Sequence, residues 1–310
     1  MNLKGKSVLV TGGAGFVGSH LVERIIKDDP GNLVVVDNFY LGKKENLKSD
    51  VNVYNTDASS ENMMDYIIRK ENIEVVFDLA VIPLPVSLID PMFCFNKNID
   101  ITMNMCELLR KKLYKTLIHF SSSEVYGTAV YAPMDESHPL NAMTPYASSK
   151  AASDLLVLSY YRTFGIDVSI IRPFNIYGPR QNDGSYAGVI PLTMKNIISG
   201  KSPIIEGDGK QTRDFTYVTD VVDAAIKIYE SSATRGMVLN IASGKELSIK
   251  EIIDTLNKEN LPLVKRNRRV GDVDKHLADI TLAKTLIGYS PKVDYKDGLK
   301  RTRLWYERKN

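Results

Sequence analysis

Three glycines spaced G-x-x-G-x-x-G, at Gly12, Gly15 and Gly18, restrict the fold of this chain more than any other feature. They follow a short apolar β-type run, 7-SVLV-10, and lead into LVERIIKDD, whose apolar residues recur with a helical period. Strand, glycine turn and helix in that order predict the opening of a βαβ unit. Without side chains the turn lets its backbone approach a pyrophosphate, and the helix amino terminus supplies N–H groups and a positive dipole. Gly12, Gly15, Phe16, Val17 and Gly18 are the candidate contacts.

A second β run, 33-LVVVD-37, ends in Asp37, nineteen residues after Gly18. An acid there takes the hydroxyls of an adenosine ribose and repels the extra phosphate of NADP, so NAD is the expected cofactor, with Asn38 assisting or serving as a turn residue. Further strand-like runs follow at βαβ intervals: 51-VNVYN-55, 75-VVFDLA-80, 116-TLIHFSS-122 and 168-VSIIRPF-174, with helical patterns at 92–113 and 146–164. The expected fold is α/β, a Rossmann-type doubly wound parallel sheet whose ligand lies at the strands' carboxyl ends. Asp57, Ala80, Ser121 to Ser123 and Pro173 fall at such ends.

With 310 residues, 44% of them hydrophobic, the chain can bury a large core, as one large domain or one with a smaller partner. A formal charge of +3 and only one short basic cluster, 265-KRNRR-269, argue against nucleic-acid or membrane-surface binding. Two cysteines cannot build a disulfide framework, and four scattered histidines have no metal-ligand spacing, so a metal-free protein of the cytoplasm is expected. The amino terminus has no signal-peptide pattern, and no run approaches the ~20 apolar residues of a membrane span.

The segment 144-TPYASSKAASDLLVLSYY-161 begins with a Thr-Pro suited to a helix entrance. Tyr146 and Lys150, four apart, project from one helix face. A tyrosine ordinarily ionises near pH ~10, and a neighbouring ammonium together with a nicotinamide cation favours its phenolate. It can then take a proton from a sugar hydroxyl as hydride leaves the carbon for NAD. Ser122 is placed to hydrogen-bond the reacting hydroxyl, whereas Ser121 reads as a structural strand-end hydroxyl. Taken alone, Tyr-x-x-x-Lys recurs in many helices; its meaning comes from the glycine turn, Asp37 and the serine cluster.

In this order the motifs TGGAGFVGSH, SSSEVYG, YASSK, RPFNIYGPRQ, GDGKQTRDFTYVTDV and RVGDVDKHLADITLAK resemble the extended short-chain dehydrogenase/reductase family, in its branch of nucleotide-sugar epimerases, dehydratases and decarboxylases. The resemblance implies NAD held by the Gly12–Gly18 loop, Asp37, Asn38, Asp57, Ala58, Leu79, Ala80, Val81, Asn98, Tyr146, Lys150 and Pro173. It implies a nucleotide-diphosphate sugar contacted by Ser87, Asn175, Val189, Arg213, Arg269 and Asp272, an arginine fork suiting phosphate oxygens. It also implies an NAD-binding domain of residues 1–175 and 212–242, a nucleotide-sugar lobe of 176–211 and 243–310, and a homodimer through a four-helix interface. Two stretches depart from the pattern: 78-DLAVIPLPVS-87 makes a more apolar wall than the usual polar one, and in 98-NIDIT-102 Ile101 replaces a glycine.

Catalytic candidates are therefore Tyr146, Lys150, Ser122, Ser123 and Glu124, and Glu124 is the residue on which the reaction turns. As a solvated charge it would leave a simple 4-epimerase, which turns the ketose over and needs no further acid or base. As an acid/base beside a 4-ketose it suits C5 proton transfer and dehydration, the leading expectation. Decarboxylation of a uronate, or release of the ketose by a 4-dehydrogenase, remain open. A non-catalytic NAD-binding module would be expected to have lost the Tyr-Lys pair, which is intact.

Overall fold

The computed structural model describes residues 1–48, 50–184, 187–268 and 271–309. Within β1 (Ser7–Thr11) side chains alternate between two cores: Val8 and Val10 enter one, Leu9 the other. The same division runs through β2 (Asn32–Asp37), β3 (Asn52–Asn55), β4 (Val75–Asp78), β5 (Thr116–Phe120), β6 (Val168–Pro173) and a last strand, Val238–Ile241. Both faces being covered, these strands are largely apolar rather than alternating with polar residues, and their polar members gather mostly toward strand ends. Each fully buried Val or Leu contributes about 1.5–3 kcal/mol, which is why seven short strands suffice.

On one face α1 (Phe16–Ile26) and the helix Val218–Glu230 cover Val8, Val10, Val35, Phe77 and Ile171. Against the other lie α2 (Glu61–Lys70), a single turn α3 (Leu84–Ser87), α4 (Pro91–Arg110) and α5 (Pro145–Phe164), and Met64, Ile67, Met105 and Val157 pack there on Leu9, Val34 and Val76. Thr144 caps α5, its hydroxyl accepting Ala147 N–H at 3.2 Å, and Gly165 ends it in the left-handed region.

The sheet is parallel throughout, in the order Val238–Ile241, β6, β5, β4, β1, β2, β3. The chain reverses direction across the sheet between β1 and β4, and the crevice above their carboxyl ends is where such a fold receives a ligand. The expected α/β class and doubly wound sheet are thus found, with strand ends within a residue or two of the predicted runs. A further core gathers Ile190, Met194 and Ile197 with Ile252, Ile253, Leu299 and Tyr306, and Phe215, Tyr217 and Val218 join it. Short pairings tie these later segments together, Glu246–Ser248 to Thr212–Asp214 and Val264–Arg266 to Ile204–Glu206. Among the described residues no helix is long and apolar enough to cross a membrane, and no group of three metal-ligating side chains occurs.

His276 joins the late segments to the sheet. It is fully buried, donating from Nε2 to the Gly127 carbonyl at 2.7 Å with its ring edge against Phe174. Burial first, then nearby Arg213, pushes its imidazole down to about 4. A group whose folded value is depressed stabilises the protein above its unfolded value, near 6.5, and loses that contribution as pH falls toward the folded value. The amount at stake is about 3 kcal/mol. Urea-denaturation midpoints should therefore fall from pH 6.5 to pH 5, where most carboxylates are still ionised. The fall should be visibly shallower in His276→Gln.

Candidate active site

Gly12 takes up φ +65°, and a Cβ there would stand 2.9 Å from the Ala80 amide nitrogen. A Cβ on Gly18 would lie 2.2 Å from the Gly12 carbonyl oxygen. The turn is therefore wrapped tightly on the start of α1, which Gly15 opens without any side-chain cap. The first N–H groups of α1 lack a side-chain acceptor, as a phosphate-binding helix terminus requires.

Asp37 closes the turn from β2. Its Oδ2 accepts Ala14 N–H at 2.9 Å and its Oδ1 accepts Phe39 N–H at 2.8 Å, and burial raises its pKa against those bonds. With the Gly15 N–H also acting on it, the carboxylate still keeps a lone pair for a ribose hydroxyl. Asn38 is exposed and turns its Oδ1 to Tyr40 N–H, so it serves the turn. Asp57 caps the next loop at Ser59 N–H, 2.8 Å away, and pairs with Lys97 at 3.3 Å.

These groups line one cavity of about 1100 Å³ that runs from Asp37 over the glycine turn to Tyr146. Gly12, Gly15, Phe16, Val17, Gly18, Asn38, Asp57, Ala58, Leu79, Ala80, Val81 and Pro173 line it. Its far end holds Ser122, Ser123, Glu124, Tyr146, Lys150 and Asn175. A wall of Val81, Ile82, Pro83, Leu84 and Pro85 faces them, as apolar as the sequence suggests.

The serine cluster separates into roles. Ser121 donates to Asp154 at 2.8 Å and is structural. Ser122 caps the short 3-10 turn Ser123–Tyr126, accepting Glu124 N–H at 3.2 Å, and its hydroxyl pulls against the raised pKa of Tyr146. That rise comes first from burial and then from the Glu124, Cys94 and Asp154 charges. Burial likewise pulls Lys150 down, opposed by Asp78 and Asp154. Tyr126 is packing, its hydroxyl donating to Asn240 at 2.8 Å and accepting from Arg172 at 2.9 Å.

Several expected contacts lie elsewhere. Asn98 does not reach the cavity: buried on α4, its amide holds the Ile82 backbone (2.8 and 3.2 Å) and Ser149 (2.9 Å), so it shapes the wall from behind. Ser87 spends its hydroxyl on the Leu84 carbonyl at 2.7 Å, closing α3. Val189 begins a helix outside the cavity, and Arg213 and Asp272 form an ion pair beyond its lining. Arg269 lies outside the described residues. Asn175 does line the cavity, and its Nδ2 is buried with no hydrogen-bond partner among the described residues, as a donor awaiting a ligand would be.

Sequence reasoning passed over Arg180, Gln181 and Trp305, which also line the cavity. Arg180 and Gln181 close the motif RPFNIYGPRQ, whereas nothing local to Trp305 marked it.

A parallel sheet with this glycine cradle, an acid ending β2 and a Tyr-Lys pair on α5 define an NAD-dependent short-chain dehydrogenase/reductase of the extended type. The model of the NAD dependent epimerase/dehydratase family matches residues 8–242, and the chain belongs to that family. It is 33% identical over 319 residues to a UDP-N-acetyl-alpha-D-glucosaminuronate decarboxylase of Bacillus cytotoxicus, covering 97% of this chain and 98% of that one. Its structure is similar to a UDP-glucose 4-epimerase of Thermotoga maritima solved with UDP-glucose, with TM-score 0.94, 32% identity and coverage of 98% and 99%. A dTDP-glucose 4,6-dehydratase of Streptomyces venezuelae, solved with NAD, gives TM-score 0.91, 29% identity and coverage of 98% and 97%. NAD is the cofactor, and Asp37 and the uncapped start of α1 fit it.

The Gly18 contact has a measurable consequence. Gly18→Ala forces a methyl to within 2.2 Å of a backbone oxygen. It should weaken NAD binding by roughly 10-fold or more, as overpacking costs about 1–3 kcal/mol, and calorimetric titration with NAD measures it.

Proposed function

We propose that this enzyme oxidises the sugar of a nucleoside-diphosphate sugar at C4 and then uses Glu124 to remove water across C5 and C6, as a 4,6-dehydratase does. One observation carries this reading: Glu124 lines the same end of the cavity as Ser122 and Tyr146, close enough for its charge to act on the Tyr146 phenol. Held by the glycine turn and Asp37, NAD would supply an acceptor for the C4 hydride and its return to C6. Tyr146, as phenolate, takes the C4 hydroxyl proton, Ser122 orients that hydroxyl, and Lys150 supplies the positive charge that the phenolate needs. The C4 ketone acidifies C5–H; Glu124 takes that proton and gives it to the departing C6 hydroxyl, with Ser123 beside it, and as hydride returns to C6 the proton taken up by Tyr146 passes to C5, which restores the phenolate.

A second reading is 4-epimerisation, favoured by Ser123. At that position the chain has a buried hydroxyl rather than another acid, so Glu124 is the carboxyl beside the Ser122–Tyr146 pair, and epimerisation needs none. Decarboxylation is less well supported, since the wall from Val81 to Pro85 offers no cation to a uronate carboxylate.

The nucleotide is held by a lobe built from residues 176–211 and 243–310 folding toward the NAD-binding domain of 1–175 and 212–242. In this reading Asn175 donates to the diphosphate. Arg213 and Asp272 complete the nucleotide site when that lobe closes, with Val189 at its edge, and Arg269 is a further candidate contact. Buried unpaired thiols at Cys94 and Cys106 fit a cytoplasmic protein. Exposed apolar side chains on the adjacent helices α4 and α5, Met103 at 42%, Leu155 at 56% and Phe164 at 52%, support a homodimer joined through a four-helix interface.

Incubation with UDP-glucose, dTDP-glucose and their N-acetyl and uronate counterparts, read by product mass, decides the reaction. Loss of one water supports dehydration, unchanged mass epimerisation and loss of carbon dioxide decarboxylation. Tyr146→Phe should remove turnover by ~10³-fold or more in every case, and Glu124→Gln should lower dehydration by ~10²–10⁴-fold while costing an epimerase little. Leu155→Glu should convert the dimer to monomer in sedimentation velocity.

A further inference from the structure

Three neighbouring strands end in a row of polar side chains that the chemistry above does not use. Register sets the row: Thr11 of β1 pairs with Asp78 of β4, and Asp78 with His119 of β5. Thr11 donates its hydroxyl to Asp78 Oδ1 at 2.7 Å while accepting the amides of Leu79 and Ala80 at 3.0 and 3.1 Å. Asp78 Oδ2 lies 2.9 Å from His119 Nδ1, and His119 Nε2 lies 3.5 Å from Lys150 Nζ. Thr11, Asp78 and His119 are at most 1% exposed.

Strand positions this deep are otherwise occupied by Val, Ile and Phe, and a buried carboxylate costs several kcal/mol unless it is paired. The donors and acceptors show what it is paired for. A carboxylate only accepts, so His119 carries its proton on Nδ1, toward Asp78. An ammonium only donates, so with Lys150 charged the lone pair on His119 Nε2 receives it. The row then runs from carboxylate through neutral imidazole to ammonium, with every contact satisfied.

We propose that Asp78 and His119 are positioning residues for Lys150: the imidazole fixes the ammonium in place, and the carboxylate behind it is the counter-charge that keeps Lys150 protonated for its work on the Tyr146 phenolate. This rests on the reading of Tyr146 as the base. Besides Asp78, the charge that acts on Lys150 is Asp154 on its own helix; Glu124 on the turn after β5 and Cys94 on α4 act on Tyr146, one helical turn before it. Asp154 is already balanced by Arg172, which donates to it at 2.8 Å. Asp78 is left as the carboxylate whose balance is Lys150. The row does not conduct protons to solvent, because both of its inner members are buried and its far end is closed on the Leu79 and Ala80 amides. Those amides belong to cavity-lining residues, so the same threonine holds the cavity floor and the carboxylate in one register.

Histidine-selective 15N NMR of the wild-type protein without substrate tests the arrangement directly. A neutral His119 protonated on Nδ1 at pH 7 is expected, and protonation on Nε2 overturns the proposal. The second arm is the pH dependence of kcat/KM on UDP-glucose or dTDP-glucose, whichever is turned over. Asp78→Asn, which keeps the shape and removes the charge, should move the alkaline limb, on which Lys150 loses its proton, down by about one pH unit and cost ~10-fold at its foot. His119→Phe should lose more, and His119→Gln, whose amide can donate to Asp78 and accept from Lys150, should recover most of that loss. A uniform drop with unmoved limbs in Asp78→Asn, or a His119→Gln no better than His119→Phe, sinks the idea. If wild type turns over no nucleotide sugar, the proposed function fails, while the tautomer still decides whether the row is built as described.

Discussion

The contact between Gly18 and the Gly12 carbonyl is the constraint from which the site is built. With no room for a methyl group there, α1 lies directly on the end of β1, and its uncapped amino terminus opens at the switch point of the sheet. The turn so formed brings Ala14 N–H onto Asp37, and this bond ties the ends of β1 and β2 together. Replacing glycine would separate helix from strand and strand from strand at once. The cost of glycine's backbone freedom in the unfolded chain is accepted because no other residue permits the approach.

At the other end of the cavity, order comes from buried polar groups. Asp154 binds Ser121 and Arg172, Arg172 reaches Tyr126, and Tyr126 donates to Asn240. These bonds pin the 3-10 turn of Ser123–Tyr126 from below, so Ser122 and Glu124 are held at the mouth of β5 by a network of which only Ser121 lines the cavity. Satisfied networks of this kind confer rigidity, whereas any single member left unpaired costs about 1–3 kcal/mol. The placement of Ser122 and Glu124 is therefore maintained by side chains from α5, β6 and the last strand.

Much of this was legible in the sequence because the signals are local. The glycine spacing, the acid ending 33-LVVVD-37, and the four-residue interval from Tyr146 to Lys150 each reflect one turn, one strand end or one helical face. In the serine cluster Ser121 is bonded to Asp154 and Ser122 caps the turn that follows, while both line the cavity. Asn98 and Ser87 were misplaced for a common reason: a short polar side chain near a ligand-binding wall looks the same in sequence whether it points to the ligand or supports the backbone behind it. Here both support backbone, Asn98 through Ile82 and Ser87 through Leu84.

By itself the sequence determined the α/β class, the NAD cradle and the Tyr-Lys pair, since periodicity and fixed spacing are properties of single elements. Only the tertiary structure decided which residues share a cavity and which charges balance. Thr11, Asp78 and His119 are far apart in the chain and unremarkable in their own strands. Parallel register alone sets them side by side, and the packing of α5 across the sheet brings Lys150 to the end of their row. Glu124 likewise became more than a strand-end charge only when the turn after β5 carried it into the company of Tyr146.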